Sequence, residues 1–539
     1  MAFAKKETAL NRFEKRLQAL SADTLRGVLR GIEKEGLRTT AEGALASTAH
    51  PAGLGSALAH PHITTDFSES QLELITGVHR DAEGCVAEIT EIHQAVFRHL
   101  GDELLWGCSM PCRLPERDDE IPLGRYGSSN VGRAKTIYRN GLSHRYGRRM
   151  QTISGIHYNF SLPDSAWPEL QRADGRGGPV REYRDEGYFS LIRNFRRRSW
   201  LLLYLFGASP AVCRTFVAGR AHALQPCGAD SLHLPYATSL RMGPLGYQSD
   251  AQARLAVSYN GLHSFAASLR WALSEPYPAY EAIGLRDGDD YRQLSTTLLQ
   301  IENEFYGTIR PKRRIRPGER PLHALAERGV EYVEVRCMDI DPFKPVGIDE
   351  DTMRFLDVFL LHCLLSDSPP DTPEEIATLS YNQHRAADRG REPGLMLRRT
   401  GREFALADWG GELLSECDPI AEALDQARGG RAHRDSLAAA REALREPSAT
   451  PSARVLEVMQ RQHDQSHLAF GLERSRRNLA ALAQRPLSPE AVSRFERMAR
   501  ESLESQREIE AADRVPFETY RQQYLGQSLL AEDESAPAE

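Results

Sequence analysis

The feature that most constrains the fold is a segment in which charged and apolar residues alternate with the period of a β-strand. In GVEYVEVRCMDIDPF (329–343), Glu334 and Arg336 share one face, and Val333 and Val335 share the other. Positions two apart on a strand point the same way and lie about 6.6 Å apart along it. A carboxylate and a guanidinium aimed in one direction suit a phosphate that is bridged to a cation.

A second segment, RGIEKEGLR (30–38), has the same period. Glu33 and Glu35 share one face, whereas Ile32 and Lys34 take the other. Alternating charge of this kind is also typical of an ordinary solvated sheet face, and one such strand alone favours that interpretation. Two of them predict a sheet with an acidic face on one side and an apolar face on the other.

Charge and hydropathy exclude several classes of protein. The chain has 539 residues and a net charge of -7, so it lacks the basic footprint that a dedicated nucleic-acid binder needs. The apolar runs at 200–206 and 355–365 are shorter than the roughly 20 residues that span a bilayer. The N-terminus has no signal-like apolar region, and the eight cysteines are dispersed. We expect a cytoplasmic protein with reduced thiols, no membrane anchor and no nucleic-acid partner.

Composition divides the chain into three parts. Residues 1–370 hold the strand-like segments and all the sharp motifs, so we expect the catalytic sheet there. Residues 371–530 are rich in Ala, Glu, Arg and Leu with helical spacing, which predicts a helical region packed on the sheet within the same domain. The acidic tail at 531–539 lacks large apolar residues and is expected to be disordered.

A further acidic group lies in TTDFSESQLELIT (64–76), which contains Asp66, Glu69 and Glu73. Its period fits either a strand or a solvated helix face, and the sequence leaves that choice open. If these acids converge with those of the first two segments, they need compensation, because two carboxylates about 4 Å apart repel by about 4 kcal/mol at an effective dielectric near 20. Hard oxygen ligands of this kind suit Mg²⁺, or Mn²⁺ in its place, better than zinc.

Two more segments carry polar groups that suit a ligand. In MQTISGIHYNFSLP (150–163) apolar residues alternate with polar ones, and His157 is either a structural residue or a ligand. The basic residues of QIENEFYGTIRPKRRIR (300–316) form either a solvated loop or a local anion clamp. Phosphate-binding glycine loops and zinc-protease motifs are absent from the sequence. A nucleotide would therefore be bound through metal-bound phosphates on a sheet.

The motifs together resemble those of bacterial glutamate–cysteine ligases, also called γ-glutamylcysteine synthetases. They follow the family order from about residue 25 to 365 and cover roughly two-thirds of the chain. The segments that carry the resemblance are RGIEKEGLR, HPAGLGSALAHPHITTDF, RYGSSNVGR, MQTISGIHYNFSLP, LFGASPAVC, LPYATSLR, QIENEFYGTIRPKR and EYVEVRCMDIDPF.

The resemblance implies an α+β fold like that of the glutamine-synthetase-like carboxylate–amine ligases. In this fold a curved, mainly antiparallel sheet forms a funnel and helices pack outside it. The implied reaction joins the γ-carboxylate of L-glutamate to the amine of L-cysteine with ATP, through γ-glutamyl phosphate, as the first step of glutathione biosynthesis. The alternatives are a sister ligase with another amine acceptor, and a binding or regulatory protein that has kept the fold but not the chemistry.

The resemblance also implies roles for individual residues. Arg336, together with Glu334, is expected to act on the transferring phosphoryl group, while Arg241 holds a substrate carboxylate with Gln151 nearby. The cysteine-side pocket is expected to contain Tyr138, Leu142, Tyr247 and Tyr306. The implied ligands of Mg²⁺ or Mn²⁺ are Glu33, Glu35, Asp66, Glu73, His157 and Glu334, and Glu69 belongs to the same motif. Feedback inhibition by glutathione and a monomeric state are further expectations of the family.

Overall fold

A computed structural model of the protein describes residues 11–246, 251 and 255–527. The strands, numbered in chain order, are β1 Leu29–Thr39, β2 Ile63–Thr65, β3 Gln71–Ile75, β4 Leu104–Leu105, β5 Ile156–Ser161, β6 Ala211–Cys213, β7 Gln225–Cys227, β8 Ser231–His233, β9 Arg286–Asp287, β10 Asp290–Tyr291, β11 Ile309–Lys312, β12 Tyr332–Met338, β13 Met396–Arg399 and β14 Arg402–Ala405.

The helices surround the central sheet. In chain order they are α1 Arg12–Ala19, α2 Ala22–Arg26, α3 Ala82–Phe97, α4 Asn130–Tyr146, α5 Ala166–Ala173, α6 Val180–Arg198, α7 Trp200–Phe206, α8 Leu262–Ser274, α9 Pro278–Ile283, α10 Pro321–Arg328, α11 Glu350–Leu365, α12 Pro373–Arg389, α13 Leu406–Glu416, α14 Asp418–Arg428, α15 Ala432–Arg445, α16 Pro451–Gln462, α17 His467–Ala483, α18 Pro489–Ala512 and α19 Phe517–Leu525.

Seven strands form the antiparallel sheet that organises the molecule. Their order is β11-β12-β5-β1-β3-β2, and β4 pairs with the end of β1. The two segments with alternating charge form β1 and β12, and β5 lies between them. The α+β class and the mainly antiparallel sheet with outer helices are thereby confirmed.

The apolar face of the sheet packs against helices. Ile32, Tyr158, Val333 and Val335 are each 0% exposed and belong to one hydrophobic cluster with α6 and α11. The apolar run at 355–365 is part of α11, whose residues from Phe355 to Leu365 are all buried. Burial of this size supplies the main driving force for closing the helices onto the sheet.

Lys34 departs from the simple apolar pattern of this face. Its side chain lies on the helix side as predicted, but its Nζ is fully enclosed and lies 2.6 Å from Nε2 of His93 on α3. The Nδ1 of His93 lies 2.7 Å from the carbonyl oxygen of Ile89. Burial lowers the pKa of Lys34 to about 7, which limits the cost of enclosing the amine.

The C-terminal helices pack on the earlier part of the chain. α14 contacts α2, α15 contacts α11, α17 and α18 contact α3, and α19 contacts α4. The division at residue 370 stays a prediction, and the acidic tail at 531–539 lies outside the described residues. All eight cysteines are free and buried, as expected. Among the helices of residues 11–527 that the structure describes, none has the length and hydropathy to cross a bilayer.

Candidate active site

Strand register brings the predicted acidic residues together on the face opposite the helices. Glu33 on β1 lies opposite His157 on β5, and its Oε2 is 3.2 Å from the histidine Nδ1. The amide of Asn159 donates to the other oxygen of Glu33 at 2.8 Å. Glu33, Glu73 and His157 each offer a ligand atom within 4.8 Å of the others. These three residues are the geometric centre of the site.

Glu35 and Glu73 form the next pair along the sheet. They lie directly opposite each other on β1 and β3, so Glu73 is on a strand, which the sequence left open. The backbone N–H of Gly155 donates to Glu35 at 2.7 Å, and the Nε2 of His157 lies 3.6 Å from the other carboxylate oxygen. Asp66 follows β2 directly and lies close enough to act on both carboxylates.

The cluster carries more negative charge than its neighbours balance. Burial raises the pKa of Glu73 well above its ordinary value, and the charges of Glu33, Asp66 and Glu35 raise it further. Burial also raises the pKa of Glu35, with Asp66 as the next cause. Carboxylates that resist ionisation because of one another are stabilised by a bound cation.

Glu334 differs from Glu35 and Glu73 because two cationic side chains form hydrogen bonds with its carboxylate. It is 0% exposed, and its two oxygens accept hydrogen bonds from Lys312 at 2.9 Å and from Arg336 at 3.0 Å. Burial opposes its ionisation, but the charges of Lys312 and Arg336 lower its pKa well below the ordinary value. Burial and Glu334 likewise oppose ionisation of Glu33, yet the hydrogen bond with His157 and the charge of Lys312 lower the pKa of Glu33.

The basic run at 310–316 divides at the edge of the sheet. Arg310 and Lys312 lie on β11 beside Glu334, whereas Arg314 is exposed. The guanidinium of Arg310 donates to the carbonyl oxygen of Asn303 at 2.9 Å. Burial, followed by the charge of Arg336, lowers the pKa of Arg310 to about 10. The strand part of the run therefore fits the local anion clamp, and the remainder fits the solvated loop.

Arg241 and Arg336 meet at the end of β12. Arg241 is 2% exposed, and its Nη2 donates to the carbonyl oxygen of Arg336 at 2.7 Å. Its Nη1 lies 3.9 Å from Asp339. Two guanidinium groups are thus fixed next to the acidic cluster, where they can bind carboxylate or phosphate oxygens.

Three of the four predicted pocket residues lie within the described part of the chain. Tyr138 and Leu142 are one turn apart on α4, and Leu142 is buried. The hydroxyl of Tyr306 donates to Oε1 of Gln151 at 3.0 Å. Burial raises the pKa of Tyr138 well above its ordinary value, followed by the charge of Glu304 and the proximity of Tyr306. Tyr247 lies outside the described residues.

A family model described as glutamate-cysteine ligase matches residues 15–386, which contain every strand of the central sheet. The chain belongs to the glutamate–cysteine ligase family. Glutamate–cysteine ligases of Azotobacter vinelandii and Alcanivorax borkumensis are 50% and 46% identical to it. The alignments cover 94% and 96% of this chain, and 97% and 100% of those relatives.

Solved structures support the same family. The glutamate–cysteine ligase of Francisella tularensis, solved in complex with AMP, superposes with a TM-score of 0.87 at 36% identity, covering 93% of this chain and 97% of that one. A bifunctional glutathione synthetase of Pasteurella multocida gives a TM-score of 0.71 at 25% identity, covering 90% of this chain and 58% of that one. The fold expected from the motifs is therefore confirmed.

Two cationic side chains near the acidic cluster were not predicted from the sequence. Lys135 and Arg139 are one turn apart on α4, and they stack on Tyr126 with distances of 5.0 and 4.5 Å to the ring centroid. Arg139 also donates to the backbone oxygen of Asp66. Burial, then the charge of Arg139, lowers the pKa of Lys135 to about 8. Their spacing of four residues was the available signal, but it is equally typical of a solvated helix face.

Glu69 has a different place from the other acids of its motif. Its two carboxylate oxygens accept hydrogen bonds from the backbone N–H groups of His50 and Arg125, at 2.9 and 2.8 Å. Both bonds tie loops to the strand that follows. This geometry assigns Glu69 to loop anchoring.

The residues of the cluster fit a hard divalent cation. The donor set consists of carboxylates and one imidazole, which suits Mg²⁺ or Mn²⁺. The Nε2 atom of His157 is buried and has no hydrogen-bond partner within the described part of the chain. Such an orphaned acceptor beside mutually repelling carboxylates is what an ion-binding site requires.

Proposed function

We propose that the protein joins the γ-carboxylate of L-glutamate to the amine of L-cysteine at the expense of ATP, the first step of glutathione biosynthesis. The observation that carries this proposal is the convergence of Glu33, Glu73 and His157 beside Arg336, on the sheet of a glutamate–cysteine ligase fold. The Nη1 of Arg336 lies 3.5 Å from the histidine Nδ1, so the guanidinium and the acidic cluster adjoin.

The chemistry needs an activated carboxylate, because a carboxylate is a poor electrophile. A γ-carboxylate oxygen of glutamate attacks the γ-phosphorus of ATP, ADP leaves, and γ-glutamyl phosphate forms. The amine of cysteine then attacks the acyl carbon, phosphate leaves, and the nitrogen loses a proton. Arg336 stabilises the charge on the transferring phosphoryl group, a role that is worth about 10³ to 10⁵ in rate for an arginine.

Glu334 positions that arginine. Its carboxylate accepts one hydrogen bond from Arg336 and one from Lys312, so both cations are held on the same side of the sheet. Burial opposes the charge on Arg336, but Glu334 and Glu35 raise its pKa, so it stays protonated. A fixed guanidinium needs no reorganisation when charge develops on the phosphoryl oxygens.

We assign the holding of divalent metal to Glu33, Glu35, Asp66, Glu73, His157 and Glu334. Mg²⁺ is the expected ion, and Mn²⁺ is the alternative. When bound, the metal neutralises phosphate and carboxylate charge. The mutual repulsion of Glu35, Asp66 and Glu73 supports this assignment.

The substrate contacts of the remaining residues are part of the same proposal. We assign a substrate carboxylate to Arg241, with Gln151 nearby, and the cysteine side chain to Tyr138, Leu142, Tyr247 and Tyr306. Such a pocket is partly apolar, which suits a thiol that must bind without reacting. The free, buried cysteines of the protein support a cytoplasmic location. A monomeric state and feedback inhibition by glutathione belong to the same proposal.

The sister ligase with another amine acceptor is the main competing function, since both would use the same metal and phosphate chemistry. ADP release in the presence of ATP, Mg²⁺ and glutamate separates them when the amine is varied among cysteine, 2-aminobutyrate and ammonia. The proposal predicts that cysteine has the highest kcat/KM. A preference for another amine would establish the sister ligase, and no ADP release with any amine would indicate an inactive binding protein.

A further inference from the structure

A polar cavity of about 260 Å³ lies behind the sheet, on the face opposite the acidic cluster. Its walls are β1, the start of α3, α11 and the turn between α14 and α15. The C-terminal helical region, which the proposed reaction does not use, thus builds one side of it. The other side is the back of a strand whose front carries Glu33 and Glu35.

Arg30 supplies a donor from the sheet side. The side chain is 2% exposed, and its Nε and Nη2 contact the two carboxylate oxygens of Asp357 at 3.3 and 2.9 Å. The hydroxyl of Tyr158 donates to the same carboxylate at 2.7 Å. The Nη1 of Arg30 is buried and has no hydrogen-bond partner among residues 11–527 as described. A buried guanidinium nitrogen left without an acceptor is costly.

Arg428 supplies a second donor from the C-terminal side. Its Nη2 donates to the backbone oxygens of Leu25 and Arg26, at 3.4 and 3.2 Å. Its Nε is buried and has no hydrogen-bond partner among the described residues. Burial, then the charge of Arg30, lowers the pKa of Arg428. The charges of Asp357, Asp81 and Glu83 act in the opposite direction and raise it in part.

The carboxylates around the cavity also bind other groups. Asp357 is saturated by Arg30 and Tyr158. Glu83 pairs with Arg354, and Asp81 caps α3 by accepting from the N–H of Gly84 at 2.7 Å. Each acid thus has at least one donor of its own, whereas Nη1 of Arg30 and Nε of Arg428 have no acceptor in the described part of the chain.

We propose that this cavity binds a small anion with a carboxylate or phosphate group, held by Arg428 and the free nitrogen of Arg30. Guanidinium groups bind both kinds of anion through parallel hydrogen bonds. The volume is below the usual range for drug-sized ligands, which restricts the ligand to a small molecule. A bound anion would link the C-terminal helices to the back of β1.

The test is calorimetric titration of the full chain with inorganic phosphate and, separately, with succinate, at constant ionic strength. Arg336→Lys serves as background for the phosphate titration because it perturbs the active-site phosphate contact and leaves the cavity intact. We expect saturable binding of at least one anion, weakened at least about tenfold in Arg428→Gln because a charge-assisted hydrogen bond is lost. Arg431→Gln removes an exposed charge from the same turn and should bind like wild type.

Phosphate and succinate distinguish the two ligand chemistries. Binding of phosphate alone assigns a phosphate site, and binding of succinate alone assigns a carboxylate site. Turnover of glutamate and cysteine should stay unchanged in Arg428→Gln. Absence of saturable binding by both anions, or equal affinity in wild type and Arg428→Gln, would overturn the proposal.

A second measurement does not depend on how the variants fold. Crystals of the wild-type protein soaked in selenate should show an anomalous peak between Arg30 and Arg428. A peak confined to the active site, with none in the cavity, would contradict the assignment as directly as the titration.

Discussion

The guanidinium of Arg241 lies flat against the backbone of Gly155, where a Cβ atom would overlap it. The same glycine donates its N–H to Glu35 at 2.7 Å. Arg241 in turn donates to the carbonyl oxygen of Arg336. One position without a side chain therefore sets the spacing between a proposed metal ligand and a proposed substrate-binding arginine.

Replacing Gly155 by Ala should displace Arg241 without unfolding the chain. We expect kcat/KM for glutamate to fall about 10- to 100-fold, because small displacements of positioning groups have effects of this size. KM for ATP should change little. Gly411→Ala is the control, since no atom of the described residues lies within 4 Å of a Cβ at that helical position. Steady-state kinetics measures kcat/KM for glutamate in both variants. Equal values in Gly155→Ala and Gly411→Ala would contradict the role of Gly155.

Replacing Glu33 by Gln keeps the volume of the side chain and removes its charge. We expect turnover to fall by more than the roughly 10- to 100-fold typical of changes around a metal site. Folding should survive, because the carboxylates of the cluster repel one another when no metal is bound. Melting temperatures with and without Mg²⁺ test this: the wild type and the exposed control Glu42→Gln should be stabilised by the ion, and Glu33→Gln much less. Equal stabilisation of all three would remove Glu33 from the ligand set.

Replacing Tyr306 by Phe removes the hydroxyl that bonds to Gln151 and keeps the ring. We expect KM for cysteine to rise about 2- to 10-fold, the cost of one hydrogen bond. KM for ATP should stay the same. Tyr236→Phe, which alters an exposed tyrosine, is the control. If the KM values for all three substrates rose together, the pocket would have been misplaced.

The stability of the protein should depend on the protonation of Asp388. Burial raises its pKa from 3.8 to about 6. The folded state therefore binds this proton more tightly than the unfolded state does. The contribution of Asp388 to the free energy of unfolding is then fully present below about pH 4 and is lost as the pH rises through about 6. Asp388→Asn should raise the free energy of unfolding at pH 7.5 by about 1–3 kcal/mol, a range that allows for partial exposure.

Denaturant unfolding between pH 4.5 and 8 measures this effect. The difference between Asp388→Asn and wild type should grow with pH up to about 7 and then level off. Asp102→Asn, at an exposed position, should show no such trend. A difference that does not change with pH would show that the carboxyl of Asp388 titrates normally.

Much of the sheet followed from strand periodicity. The alternation of Glu334 and Arg336 with two valines predicted both faces of β12, and the 0% exposure of those valines confirms it. Periodicity could not decide whether Glu73 lies on a strand or on a helix, because the residues around it fit both the strand period and the helix period. Pairing with Glu35 across β1 and β3 decided it, and that is a long-range contact that no local pattern contains.

The residues of the site were predicted from the family motifs more than from the periodicity of the strands. His157 could not be distinguished from a structural histidine until β5 placed it opposite Glu33. Lys135 and Arg139 were missed because cations four residues apart on a helix are common on solvated faces. The cavity behind the sheet could not be predicted either, since Arg30 and Arg428 are separated by 398 residues in sequence.

Formation of γ-glutamyl phosphate in this site is tested most directly with a sulfoximine analogue of glutamate. The analogue is tetrahedral at the reacting centre, so it resembles the transition state and gains contacts that the substrate lacks. Incubation with ATP and Mg²⁺ followed by mass spectrometry should reveal phosphorylated analogue and a tightly inhibited enzyme. Arg336→Lys keeps one charge but loses the planar fork, so it should lose turnover and tight inhibition together. A wild-type enzyme that joins glutamate to cysteine, yet neither phosphorylates the analogue nor is inhibited by it, would contradict the account.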